Sequence, residues 1–373
     1  MNRIAIIASS VLLVLAACAK VTPVEPPGQQ EITFTVANLA QATKASAFDP
    51  KKTFGTFAYW TPTNWATDGT THLFMNNEEI SNVGGVWAPA DPHYWTKSGM
   101  ISFASYAPYC EAKGTLGFTV APAYSKDHHF TFTDYTIVDE ADVDLMFADD
   151  YNNKDCTHTT NTTGEAVVSV DESGQEVNNF KGVPTLFRHA LTQVRFTFRQ
   201  KAYGNTSVDE ENSWIEVAHV ELLDLHNKNT FTDNTWDLST AEGEVSYLLL
   251  DGENDAAVKI AKASEGNPTL IGNPLIVLPQ SLLSVVENEY SYGPQMLKVT
   301  YNICTKFKSN DTVQRQDGFT VMVPLGSEDR LTDWEMNQDI TYLVTINPFS
   351  DDPVSFDPAV ADWTIVNGEL AVE

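Results

Sequence analysis

Basic side chains are scarce in this chain. Its 373 residues carry 22 Lys and Arg against 50 Asp and Glu, a formal net charge of -28. That balance argues against nucleic acid as a partner, since phosphates need basic contacts. It argues equally against docking on anionic lipid through a polybasic patch. Arginine is missing altogether between Arg3 and Arg188. Cysteine is almost as rare: Cys18, Cys110, Cys156 and Cys304 are widely spaced and form no CxxC, so neither a disulfide framework nor a structural zinc site is expected. Beyond Cys18, buried free thiols are expected, with a Cys110–Cys156 bridge as the alternative. There is no GxSxG, HExxH, GxxxxGK[ST] or EF-hand loop, and no GxGxxG after a strand. No amphipathic helix exceeds about three turns. These absences point away from an enzyme and imply no cofactor and no metal. Charged residues are 19% and hydrophobic residues 42% of the chain, which suits a packed protein with an acidic surface, not a disordered acidic one.

The apolar run Ile4 to Ala16 follows a basic start at Arg3 and is too short to span a bilayer at ~1.5 Å per residue. It reads as the hydrophobic part of a signal peptide, residues 1–17. The run closes on Leu15-Ala16-Ala17-Cys18, small residues ending in a thiol, which is what lipoprotein processing needs. Acylated Cys18 would anchor the chain in lipid, each buried CH₂ contributing ~0.8 kcal/mol. An ordinary secretory signal with a coincidental cysteine is the alternative. Residues 18–30, with Pro23, Pro26, Pro27 and Gly28, read as a semi-extended tether.

From Glu31 the hydrophobic period becomes two. Ile32, Phe34 and Val36 alternate with polar neighbours, the pattern of a half-buried strand. Similar segments recur at Phe54–Trp60, His72–Met75, Met100–Tyr106, Gly117–Val120, Leu145–Ala148 and twice around His189. Later ones lie at Trp214–Leu223, Tyr247–Leu250, Leu275–Leu278, Leu297–Tyr301, Phe319–Pro324 and Ile340–Ile346. Many short strands separated by Gly, Asn, Asp and Pro imply an all-β protein of sandwiches. The polar stretch Gly174–Gly182 suggests a boundary, giving domains at 31–180 and 181–373.

Other candidates have bland and sharp readings. Asp139, Glu140, Asp142 and Asp144 lack the glycine and terminal glutamate of a calcium loop and read as a solvated acidic loop. His128-His129 reads as an exposed polar loop, with metal binding the alternative. His189 reads as a structural histidine in preference to a general base. Trp60, Trp65, Trp87 and Trp95 fit a sandwich core better than a sugar-stacking platform.

The C-terminus alternates again: Val366, Gly368, Leu370 and Val372 share one face. A terminal strand of that design can complete its own sheet or another's. In order along the chain stand the lipobox, Thr43-Lys44-Ala45 beyond the first strand, and Gly99-Met-Ile-Ser-Phe-Ala-Ser-Tyr-Ala-Pro108. Asp144-Leu-Met-Phe-Ala148, Leu186-Phe-Arg-His-Ala-Leu191 and Val194-Arg-Phe-Thr-Phe198 follow. Leu278-Pro-Gln280, Asn337, Tyr342-Leu-Val-Thr-Ile346, Val354-Ser-Phe356 and Trp363 complete the series. Together they resemble the fimbrillin family, subunits of the type V pili of anaerobic Gram-negative bacteria.

The resemblance implies two tandem transthyretin-like β-sandwich domains on a lipid-anchored protein of the outer membrane and fimbrium. It implies that a surface protease cuts after Lys44, before Ala45, releasing the strand with Ile32, Phe34 and Val36. The tail around Val366, Gly368, Leu370 and Val372 of a neighbouring pilus subunit would then fill the groove, building a head-to-tail polymer. Adhesion to a host or bacterial glycan or protein receptor is implied as well. This chain departs from the family in presenting Lys44 where arginine is usual, so an Arg-specific protease would have nothing to cut. Either a lysine-accepting protease acts there and the protein is a stalk subunit, or the chain stays uncut and serves as a basal anchor. A monomeric surface glycan-binding lipoprotein is the alternative function. Asp311-Thr312-Val313 resembles the O-glycosylation sequon of exported proteins in such bacteria, with Thr312 as acceptor.

Overall fold

The structure is a computed structural model. It describes residues 31–36, 39–40, 53–155 (except 66, 68–70, 97, 112–113 and 139–142), 169–170, 176–177, 182–201, 213–283 (except 265), 295–306, 312–347 (except 328–330), 353–362 and 366–367. Described elements are strands, apart from one short 3-10 turn at Leu238–Thr240, so the fold is all-β.

One eight-stranded sheet runs in the order Val183–Thr185, Phe34–Val36, Val86–Pro89, His72–Val83, Phe54–Thr61, Met100–Ala107, Met146–Asp155, Arg188–His189. Alternation along Met146–Asp155 shows how one sheet feeds two cores. Met146 and Ala148 join Ile32, Phe34, Phe54 and Phe103 on one face. Leu145 and Phe147 join Phe57, Tyr106, Phe130 and Phe132 on the other. Against that second face lies a four-stranded sheet, Thr235–Trp236, Lys228–Thr232, His129–Thr136, Ala123–Ser125. Residues from far apart in the chain therefore share one aromatic core, including Phe231, Trp236 and Leu278.

The remaining core lies between two five-stranded sheets. One is built on Thr192–Gln200, which pairs in parallel with Gln338–Ile346. There Ile340, Tyr342, Val344 and Ile346 are all buried, as period two requires for one face on the core. Phe196 stacks on Tyr342 with ring centroids 5.1 Å apart, and Trp334 Nε1 donates to the Tyr342 hydroxyl at 2.9 Å. The facing sheet is built on Ser213–Leu225 and Met296–Lys306. Its buried residues change parity between Val217 and Val220 because the register shifts between Val217 and His219. One extra residue in a bulge moves the following side chains to the other face.

Most expected strands are present, often longer than their apolar pattern suggested. Gly117–Val120 is not one: Thr115 and Phe118 form an isolated bridge, and Leu116 and Gly117 have positive φ. A Cβ on Gly117 would lie 2.4 Å from the Thr136 carbonyl oxygen, so the turn needs glycine where backbones meet. The expectation of an exposed loop at His128-His129 holds for His128, which is exposed in a turn, and is corrected at His129. His129 opens the strand His129–Thr136, whose Phe130 and Phe132 are fully buried. Trp65 and Trp95 are buried, and Trp60 and Trp87 pack half-buried against the core of the larger sheet, in line with the core reading.

Cys304 is a buried free thiol, as expected, and Cys110 is buried as well, while Cys156, its candidate partner, lies outside the described residues. Burial, with Glu216 next in effect, pushes the Cys304 thiol up to about 11. Thiolate is the reactive form. Native protein at pH 8 is therefore expected to resist alkylation at Cys304, read by mass spectrometry, until denaturant is added; rapid native alkylation would show that the site is open.

Candidate functional site

The strand Phe34–Val36 is an interior strand although it lies close to the start of the described chain. It pairs in parallel with Val183–Thr185 through Phe34↔Val183, Thr35↔Pro184 and Val36↔Thr185. On its other side Phe34 pairs with Trp87 of Val86–Pro89. Backbone bonds continue ahead of its first residue: Ile32 N donates to His93 O at 2.7 Å and Val183 N to Thr33 O at 2.7 Å. Its side chains act as knobs. Ile32 is 0% and Phe34 4% exposed, and Val36 is half-buried against the same core. The Phe34 ring meets Phe54 and Phe103 edge to face at 5.6 and 5.9 Å. Without this strand the seat would expose apolar rings and two rows of backbone groups at once, which water and packing both penalise.

Gly182 sets the depth of the seat. Its φ is +117°, and a Cβ there would stand 2.4 Å from Thr35 Oγ1 and 2.9 Å from the Phe34 carbonyl carbon. Only glycine permits that approach. The parallel pairing and the role of this glycine were missed in the sequence, where Gly182 stood as the end of a polar stretch ahead of a fresh strand pattern from Val183; a glycine directly ahead of a strand was the available signal.

Directly after Val183–Thr185, the scattered motifs of the sequence converge. Phe187 packs on Phe54 at 5.4 Å. His189 Nδ1 lies 2.7 Å from Asp144 Oδ2, and the backbone N of His189 meets Asn337 Oδ1 at 3.4 Å. With a buried ring held by a carboxylate, His189 is structural, as expected. Asn337 N donates to Leu191 O at 2.9 Å, and Trp236 Nε1 to Ala190 O at 2.6 Å. Arg188 Nη2 reaches Asp149 Oδ1 at 2.9 Å with its guanidinium over the Phe147 ring. Gln280, fully buried, accepts from His226 N at 2.9 Å and donates to Leu278 O at 3.0 Å. These residues join the large sheet to the later sandwich, a role that their separation in sequence conceals.

The other expected positions are placed as follows. Cys18, Lys44, Ala45, Gly368, Leu370 and Val372 lie outside the described residues, as do Asp139, Glu140, Asp142 and Cys156. Val366–Asn367 is a short strand whose backbone pairs antiparallel with Leu39–Ala40. Thr312 is exposed, just ahead of the strand Val313–Pro324. Among the described residues no group of three His, Cys, Asp or Glu could hold a metal ion, and no helix is long and apolar enough to cross a membrane.

Comparison with known proteins agrees with this architecture. The chain is similar in fold to a fimbrial protein from Bacteroides vulgatus, with a TM-score of 0.60 at 20% identity, covering 90% of this chain and 100% of that one. A candidate cell adhesion protein from Parabacteroides distasonis gives a TM-score of 0.46 at 13% identity, covering 90% of this chain and 99% of that one. No curated protein matches the sequence. The sequence profile of the fimbrillin-like family matches residues 40–363, and the chain belongs to that family.

Proposed function

We propose that this protein is a non-enzymatic structural subunit of a type V cell-surface pilus, anchored to the outer membrane through acylated Cys18 and polymerised by strand exchange. The observation that carries the reading is the seat of the first strand. An interior strand holding Ile32 and Phe34 in a core, close to the start of the described chain and followed by Lys44, is built to be released and replaced. Two tandem transthyretin-like sandwiches, divided near residue 181, would carry the groove on the first and the donor tail on the second. Head-to-tail insertion does not close on itself and yields a filament. The ladder between Val366–Asn367 and Leu39–Ala40 supports a tail able to join a sheet. Cleavage at Lys44 makes a stalk subunit; retention of the first strand makes a basal anchor. Partners are further pilus subunits, a surface protease and an adhesion receptor, with Thr312 a modification site on an exposed segment.

The test is deletion of residues 364–373, read by electron microscopy and by the ladder of polymers in a gel. Deletion is expected to abolish polymer and leave a folded monomer. Filaments of ordinary length from the deletion variant would sink the reading and favour a monomeric surface lipoprotein. Mass spectrometry of the N-terminus then separates the roles: a chain starting at Ala45 is a stalk subunit, one starting at acylated Cys18 an anchor.

A further inference from the structure

We propose that residues 226–242 are a strap, laid by the second half of the chain across the first, that couples the two sandwiches into one cooperative unit. The strap also completes the core behind the first-strand seat. This goes beyond the pilus reading and does not depend on it.

The strap hairpin, Lys228–Thr232 and Thr235–Trp236, extends the sheet containing His129–Thr136 through Lys228↔Thr136, Asn229↔Tyr135 and Phe231↔Phe132. Its two large side chains enter the earlier core. Phe231, fully buried, stacks on Phe132 at 5.3 Å and meets Phe147 at 5.1 Å. Trp236 meets Phe231 at 5.0 Å and Tyr135 at 6.1 Å. Phe147 links this core to the seat, because its neighbours Met146 and Ala148 line the opposite face with Phe34. Lifting the strap would bare one face of the sheet whose other face shares a core with Phe34 of the first strand.

Both ends of the strap are fastened. At its tip, Asn234 Nδ2 donates to Asp149 Oδ2 in a short contact. That carboxylate is 5% exposed and also receives Arg188 Nη2 at 2.9 Å and faces His129 Nδ1 at 3.0 Å. A buried carboxylate shared by three elements is costly to leave unpaired, so the clasp favours the closed arrangement. At its base, Ile137 N donates to Asn227 O at 2.8 Å, while His226 N donates to Gln280 Oε1 at 2.9 Å. Leu278 lies in the earlier core as well. That core, and the seat behind it, is thus complete only once residues up to 278 are folded in place.

Hydrogen exchange read by mass spectrometry across a urea series tests this on the full chain. In the wild-type protein, peptides covering 54–61 and 338–346 are expected to lose protection at one shared urea midpoint. In Trp236→Ala the two should separate, with exchange of 54–61 faster on the order of 100-fold and 338–346 far less affected. Asn234→Ala, which removes only the tip fastening, should give the same order of opening with a smaller gap and serves if Trp236→Ala does not fold. Separate midpoints in the wild type would overturn the proposal. So would variants in which both regions keep a common midpoint, since the coupling would then lie elsewhere.

Discussion

Phe34→Ala is expected to lower the unfolding free energy of the uncut protein by about 3–5 kcal/mol, the range for deleting a buried aromatic ring. The ring is 4% exposed and lies edge to face with Phe54 and Phe103, so its loss removes transfer energy and leaves a cavity among rigid rings that collapse poorly. Phe34→Leu fills much of the space and should cost clearly less. Urea unfolding followed by tryptophan fluorescence checks both. A cost below about 1 kcal/mol for Phe34→Ala would mean that the strand is not truly packed in its seat. The functional counterpart follows from the same numbers. Weaker knobs hold the first strand less firmly, so under the pilus reading the alanine variant should exchange its strand faster. Gly182→Ala acts on the same seat from the other side, through backbone collision with Phe34 and Thr35.

Alkaline pH is expected to unfold the protein steeply above pH 10. The phenols of Tyr106, Tyr124, Tyr135 and Tyr342 are all held above their usual value of 10.0, chiefly by burial, with Asp149 adding to the effect on Tyr124 and Asp144 on Tyr135. Hydrogen bonds act the other way at Tyr106, whose hydroxyl accepts from Cys110 N at 3.2 Å, and at Tyr342, which accepts from Trp334. Once the pH passes 10, the unfolded chain binds fewer protons than the folded one. Stability is therefore intact below pH 10 and falls as pH rises above it, by up to about 1.4 kcal/mol per pH unit for each such tyrosine. Four acting together give a slope of about 5 kcal/mol per pH unit. Tyrosinate absorbance should rise gradually as exposed tyrosines ionise, then step up together with loss of the β-sheet circular dichroism signal. A smooth titration of every tyrosine near pH 10 with the sheet signal intact would contradict the burial of these rings.

Local pattern was legible wherever one face of a strand met one core. Ile340–Ile346 and Ile32–Val36 alternate cleanly, and burial follows the alternation. His129–Thr136 was hidden because a lysine-aspartate pair and His128 precede it and a second histidine opens it, so a strand carrying buried Phe130 and Phe132 reads as a polar loop. Gly117–Val120 erred the other way: Phe118 is buried alone, and one buried ring in a turn imitates a strand face.

By itself, the sequence determined the class of protein. Alternating hydrophobic residues, frequent turn residues, the small-residue run ending in Cys18 and the ordered family motifs depend only on neighbours in the chain, and they led to an all-β, fimbrillin-like reading. Tertiary structure alone decided which strands lie side by side. The seat of Phe34 is formed by Trp87, Val183 and Gly182, and the core on the opposite face of the sheet is completed by Phe231 and Trp236. Strand pairing, parallel pairing above all, joins residues whose separation leaves no periodic mark in the sequence, because each ladder is fixed by loop closure and by the fit of side chains from both partners.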